Sequence, residues 1–335
     1  LDRITTENMR FVDALGRERI FHGLNLVFKG ESCSGQTNYI PPWNETLFQW
    51  LFDHGFNVVR LGMVWDALEP EPGQIDQTYL NWIERMLDLA EQHGIYVYLD
   101  MHQDLFSCRF SDGAPDWATM TDGLDHVTGE LWSDAYLFSP AVQRAFDSFW
   151  ANRRAADGIG LLDHFANLWV SIAHRFQDHN ALLGFDFLNE PHPGEEGRAI
   201  VRSLIDAYIE KSSTDSASED LLASLTSADL RAAFLRDLED PEFFSAVAAA
   251  AQPMLKRFDQ QTLGPFYQRL ADAVTPVCPD KIIMMENSYF SNLGIECSIP
   301  RIQGQDPRGP VEQAYAPHGY DLVVDTPHVV NASNA

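Results

Sequence analysis

Cysteine, basic residues and long apolar runs are all scarce in this 335-residue sequence, and each scarcity narrows its function. There are 23 Lys and Arg against 49 Asp and Glu, giving a formal net charge of −26 and an isoelectric point near 4.6. A surface of that sign repels phosphate backbones, which sets nucleic acid aside as a partner. It does not exclude a neutral sugar or a glycolipid. No apolar run is long enough to span a bilayer. The four cysteines, Cys33, Cys108, Cys278 and Cys297, form no Cys-x-x-Cys pair, so no zinc site is indicated. Two disulfides in an exported protein and four buried thiols fit about equally well. No Gly-x-Gly-x-x-Gly follows the first strand-like segment, which counts against a dinucleotide-binding doubly wound sheet. Leu1 is not an initiator methionine, and a cleaved signal peptide would leave no trace. The reading leans towards export and leaves the cytoplasm open.

The chain is instead rich in alternating strand and helix patterns, with 45% hydrophobic residues. Ile20 to Phe28 reads as a first strand. Asn44 is placed to cap a helix whose apolar face is Leu47, Trp50 and Leu51, ending at His54-Gly55. Strands at Phe56–Leu61 and Ile95–Asp100 flank a helix around Tyr79–Gln92, which also stops at His-Gly. Further strands follow at Leu182–Leu188, Lys281–Glu286 and Glu312–Tyr320, separated by helices near Leu161–Phe176 and Pro265–Val274. This is how a parallel βα array is written, and long loops after strand ends point to a (β/α)₈ TIM barrel. Six strands are visible where a closed barrel takes eight. An open sheet would leave two unpaired edges, so the expectation is an incomplete catalytic barrel over residues 1–335, completed by a further C-terminal segment. An acidic helical insertion occupies about 199–251. Its stripe of Leu221, Leu222, Leu225, Leu230, Phe234 and Leu235 either walls an apolar channel or closes on itself as a surface hairpin.

Chemistry concentrates at the strand ends. Phe185-Asp186-Phe187-Leu188-Asn189-Glu190-Pro191 delivers an Asn-Glu pair from an apolar strand, and Pro191 stops that strand. Burial there is expected to raise the Glu190 pKa, as a general acid near neutral pH requires. Arg60 ends the second strand, where a guanidinium can hold a carboxylate ionised; the alternative is a purely structural ion pair. Trp65 follows, placed either to stack on a sugar ring or simply to fill the core. His102 and Asp104 lie in Asp100-Met101-His102-Gln103-Asp104. Asp-x-His-x-Asp suits a metal, a loop cap, or hydrogen bonding to a polar substrate and Glu190. The last is preferred, and no metal or organic cofactor is called for. His318 and Tyr320 could line the same cleft. Glu286, at the end of the fifth strand, reads as a substrate or supporting contact rather than a nucleophile.

The order Arg60, Asp100-Met101-His102-Gln103-Asp104, Asn189-Glu190-Pro191 and Pro317-His318-Gly319-Tyr320 resembles glycoside hydrolase family 5 of clan A. Gly113-Ala114-Pro115-Asp116-Trp117 and Phe149-Trp150-Ala151-Asn152 leading to Leu161 resemble its endoglycoceramidase-type subgroup. The resemblance runs from about Asp13 to Asp321. It implies a retaining hydrolase with Glu190 as acid/base and Asn189 on the sugar 2-hydroxyl. It also implies that Arg60, His102, Asp104, His318 and Tyr320 line the glycone site. The implied substrate is a glycolipid cut between sugar and ceramide, with contact to a membrane or micelle surface. The family's nucleophilic Glu lies past the His-x-Tyr motif and is expected beyond the end of this sequence. A β-glucanase or β-glucosidase of the same family, and a non-catalytic sugar- or glycolipid-binding protein, are the rival expectations.

Overall fold

The computed structural model describes residues 1–30, 38–212, 236–304 and 310–320. It opens with a small antiparallel sheet, β1 (Ile4–Glu7), β2 (Arg10–Asp13) and β3 (Glu18–Arg19). Nothing in the strand–helix pattern foretells it, because these strands are short and mix Thr, Arg and Asp with few apolar residues. There follow β4 (Gly23–Leu26), α1 (Glu45–Asp53), β5 (Val58–Val64), α2 (Trp65–Leu68), α3 (Gln77–Gln92) and β6 (Tyr96–His102). Next come α4 (Asp134–Phe138), α5 (Pro140–Trp150), α6 (Leu161–Phe176) and β7 (Leu182–Asp186). The chain continues through α7 (Glu196–Ser212), α8 (Pro241–Ala248), α9 (Gln252–Phe258), α10 (Gly264–Val274), β8 (Ile282–Met285) and β9 (Gln313–Tyr315).

Strands β4 to β9 form one parallel sheet in chain order, each paired with the next. That winding, with helices between the strands, is the wall of a (β/α)₈ barrel, and the described residues supply six of its strands. The strand period of two divides the sheet faces. Val59, Leu61, Met63, Val97, Leu99, Met101, Phe185, Ile283 and Met285 join the large core under the helices. On the inner face Val58, Tyr96, Ile282 and Met284 pack with Ile4 of the small sheet, which plugs the bottom of the barrel. Higher on that same face the side chains change from apolar to charged: Arg60, Asp100, Asp186 and Glu286, all buried. The site is built from that upper layer.

The helix ends are written locally. Asn44 Oδ1 accepts the Thr46 N–H at 2.9 Å, as the capping reading required. His54 and His93 turn Nδ1 back onto the carbonyls of Trp50 (2.7 Å) and Leu89 (2.8 Å). Gly55 and Gly94 then take φ of +78° and +68°, where any side chain would be strained. The buried residues of α1 are Phe48 and Leu51, and Trp50 is half exposed rather than part of the buried face.

Helices α7 and α8 fall largely within the insertion and α9 follows it; together they bury Ile200, Val201, Ile205, Ala248 and Leu255 against Phe290 and Ile295. The leucine stripe from Leu221 to Leu235 lies outside the described residues. Cys108 is disulfide-bonded, whereas Cys278 and Cys297 are free thiols, so neither two disulfides nor four thiols describes the chain. Among the described residues no helix is long and apolar enough to cross a membrane.

Candidate active site

Arg60 organises the floor of the site. Its Nη2 meets Asp100 Oδ1 at 2.9 Å, Glu286 Oε1 at 2.5 Å and Asn189 Oδ1 at 2.9 Å, while Nε meets Asp186 Oδ2 at 2.9 Å. Three buried carboxylates thus converge on one guanidinium: register puts Asp100 and Asp186 at one level, and Arg60, level with Tyr98 two residues lower, reaches up to them. Burial works against the Arg60 charge, but Asp100, Asp186 and Glu286 hold it firmly protonated. Asp186 is pushed well above the usual carboxylate range by burial and then by Glu286, against the pull of Arg60. His102 adds Nδ1 to Asp100 Oδ2 at 2.9 Å.

Above this floor stands Glu190. The Asn189 N–H, three residues past the end of β7, bonds to Met101 O of β6 at 3.0 Å. Asn189 Nδ2 bonds to Gln103 O at 3.0 Å, and Gln103 Nε2 bonds to Asn189 O at 2.9 Å. Glu190 then turns out of the sheet at φ +45°, a left-handed conformation that costs a non-glycine residue about 1–3 kcal/mol. Its N–H is taken up by Glu286 Oε2 at 2.7 Å. Its Oε1 accepts from His318 Nδ1 and from the Tyr320 hydroxyl, each at 2.7 Å. Burial raises the Glu190 pKa, but those two hydrogen bonds and the His318 charge outweigh it and leave the carboxyl below its usual range. The expected upward shift is therefore reversed: burial acts as anticipated, and two donors from the loop after β9 overcome it. His318 in turn is pushed up to about 10, because its bonds to Glu190 and Glu286 exceed the cost of burial.

A cavity of about 330 Å³ opens over these groups. Arg60, His102, Asp104, Asn189, Glu190, His318 and Tyr320 all line it. Two anticipated residues do not. Trp65 is packed edge-on to Trp117 and Phe165 with Nε1 on Glu69 Oε2 at 2.9 Å, so it belongs to the core. The helical turn of α2 directly after β5 carries its ring to the helix side of the sheet. Glu286 lies beneath the cavity, fully buried, with its oxygens occupied by Arg60, His318 and the Glu190 N–H. It cannot touch a substrate in this arrangement.

Sequence reasoning missed Lys29, Trp132, Tyr136, Tyr289 and Asn292, which also line the cavity. Lys29 pairs with Asp104, lies 3.8 Å from Asp112 Oδ2, and sits 5.4 Å from the Trp132 ring centroid. His102, Asp104 and Asp112 have metal-ligand spacing, yet the Lys29 ammonium already supplies the cation there. Lys29 sits just past the first strand, which was the one local hint of it. The others sit on loops and short helices whose positions tertiary packing decides.

Fold and site together define a (β/α)₈ protein with a cluster of buried carboxylates below a cavity at the C-terminal face of its strands. The chain belongs to the cellulase family, glycosyl hydrolase family 5, whose model matches residues 21–329. An endoglycoceramidase of Cyanea nozakii is 34% identical over 241 residues, covering 61% of this chain and 46% of that protein. Endoglycoceramidase I of Rhodococcus hoagii is 33% identical over 196 residues, covering 57% and 37%. Among solved structures, endo-glycoceramidase II from Rhodococcus sp., as its lactosyl-enzyme intermediate, matches with TM-score 0.67 and 27% identity. That match covers 92% of this chain and 59% of that one. The chain thus spans less than half the length of these curated relatives.

Proposed function

We propose that this chain carries the acid/base half of a retaining β-glycosidase that cuts glycosphingolipids between sugar and ceramide. The observation that carries the proposal is Glu190 itself: a buried carboxyl at a strand end, aimed into a polar cavity beside Arg60 and Asn189 and gripped by His318 and Tyr320. Glu190 gives its proton to the departing ceramide oxygen and later takes one from water. Asn189, held rigid by Arg60 and Gln103, offers its amide to the sugar. The partner carboxylate belongs about 5–5.5 Å from Glu190. Among the described residues, Asp104 is the other acid lining the cavity, and Lys29 occupies it. As the family resemblance implies, we assign the nucleophile to a Glu past the His318-Gly319-Tyr320 motif. Its charge, brought opposite Glu190, raises the Glu190 pKa towards the range a general acid needs.

The relatives named endoglycoceramidase and the solved lactosyl-enzyme intermediate support this reading, as does a related structure titled as a ganglioside GM3 complex. The cavity rim supports a lipid substrate. Trp132 is 49% exposed at its edge, an apolar ring suited to contact a lipid chain or a micelle surface. Export fits the disulfide at Cys108, since such bonds persist in oxidising compartments.

The test is hydrolysis of lactosylceramide by the full-length protein and by Glu190→Gln. The variant is expected to lose about 10²–10⁴-fold on this poor leaving group and far less on an activated aryl glycoside. Near-normal turnover of lactosylceramide by the variant overturns the assignment. Preference of the native enzyme for soluble β-glucan would move the substrate to the family's cellulases, and binding without turnover would make it a lectin-like protein.

A further inference from the structure

We propose that Glu286 is a positioning residue for the acid/base, holding Glu190 at both ends: the backbone directly and the carboxylate through His318. This rests on the glycosidase reading of Glu190. One oxygen of Glu286 accepts the Glu190 N–H at 2.7 Å. The other faces His318 Nε2 at 3.0 Å, and the opposite nitrogen of that ring, Nδ1, reaches Glu190 Oε1 at 2.7 Å. A ring that bridges two carboxylates through both nitrogens needs a proton on each, so the bridge is an imidazolium. The backbone of Glu190 is in a conformation that would relax if released, and the Glu286 oxygen is the acceptor its N–H has found. Glu286 is in turn fixed by Arg60, while its backbone N–H bonds to the Tyr267 hydroxyl at 2.8 Å. The clamp thus runs from the end of β8 to the loop after β7 and to the loop after β9.

Charge follows geometry. Facing Glu190 are His318, Tyr320, His102 and Tyr136. Facing Glu286 are Arg60, Asp186, His318 and Tyr267, with Tyr98 and Tyr320 further out. Removing the Glu286 charge takes away one of the two anions that keep His318 protonated. A His318 that loses its proton no longer favours the Glu190 carboxylate, so Glu190 holds its own proton to higher pH. Arg60 lies against Glu286 and masks the opposite, direct effect of that charge on Glu190.

The experiment compares full-length wild type, Glu286→Gln and Glu286→Asp on lactosylceramide across pH, with Glu190→Gln alongside. Wild-type turnover and its collapse in Glu190→Gln establish the acid/base first, so failure of that reading is seen separately. Glu286→Gln is then expected to lower kcat about 100-fold with little change in KM, as misplacement of a reacting group does. The alkaline limb of its profile moves up by about one pH unit. Glu286→Asp keeps the charge but not the reach, and falls between the two in both respects. It decides the matter if the Gln variant lacks a cooperative melt. Wild-type kcat and limb in either variant overturn the proposal, as does loss of activity in both with the limb unmoved, which is what a merely structural residue would give.

Discussion

His318 Nδ1 lies 2.7 Å from Glu190 Oε1, a pairing across 128 residues of sequence that ties the loop after β9 to the end of β7. The imidazole is held protonated up to about 10 by Glu190 and Glu286, against the opposing effect of burial. A raised folded-state pKa makes a contribution to stability that is complete below the unfolded His value near 6.5. That contribution fades as pH rises through about 10. Urea unfolding of the wild type is therefore expected to lose stability steadily from about pH 6.5 to about 10, and His318→Gln to lack that part of the slope. Parallel slopes for the two proteins would rule the ion bridge out.

Arg60 balances three buried acids, so its replacement is expected to be costly out of proportion to its size. Arg60→Met leaves Asp100, Asp186 and Glu286 facing one another without their cation, a loss of about 3–5 kcal/mol. Arg60→Lys keeps the charge but has one nitrogen where the guanidinium uses two. It should fold and turn over poorly, because Asn189 loses its donor. Denaturant midpoints and kcat measured together separate the two outcomes; equal stability of the Arg60→Met variant and the wild type would contradict the electrostatic account.

Trp65, a candidate for stacking on a sugar, belongs to the core, whereas Trp132, which the sequence did not single out, edges the cavity. Trp65→Ala opens a cavity among Trp117, Phe149 and Phe165 and should cost about 3–5 kcal/mol with KM little changed in whatever remains folded. Trp132→Ala removes a half-exposed ring from the cavity edge. It should leave the melting temperature nearly intact and raise KM for lactosylceramide about tenfold. The reverse pattern in the two variants would mean that the cleft has been read from the wrong side.

The contrast shows which parts of the site were legible. Asn189, Glu190, His318 and Tyr320 could be placed because each sits just past an apolar strand, and parallel strands in chain order bring such ends to one face; Arg60 does not end its strand as expected, since β5 runs on to Val64, and reaches the site from within it. The strand period also separates Arg60 from Val59 and Leu61. Trp65 was misplaced because one short helical turn after β5 rotates its ring away, towards partners as distant as Phe165. The charge state of Glu190 escaped for the same reason. Burial is readable from Phe185, Phe187 and Leu188 around it, while the donors that outweigh burial arrive from His318 and Tyr320. Lys29, Trp132 and Tyr136 sit on loops or short elements, and only tertiary packing decides what they face.

The disulfide at Cys108 supports the loop that positions Asp104. That loop leaves β6 through Leu105 and Phe106, both at positive φ (57° and 74°), and is tied by the Leu105 N–H to the Tyr136 hydroxyl at 2.9 Å. Ser107 and Thr119 add a hydroxyl–hydroxyl bond of 2.6 Å beneath it. A covalent link at such a place restricts the unfolded chain and holds a strained loop against relaxation. Cys108→Ser is expected to lose about 2–4 kcal/mol and to weaken lactosylceramide turnover through the Lys29–Asp104 pair. Cys278→Ser, whose Sγ already bonds to Ala173 O at 3.4 Å, should cost far less. Melting with and without dithiothreitol makes the check direct: the reductant should lower the wild-type midpoint and leave that of Cys108→Ser where it was. An equal fall in both would place the sensitive bond elsewhere, and no change in either would show that the link adds nothing to the folded state.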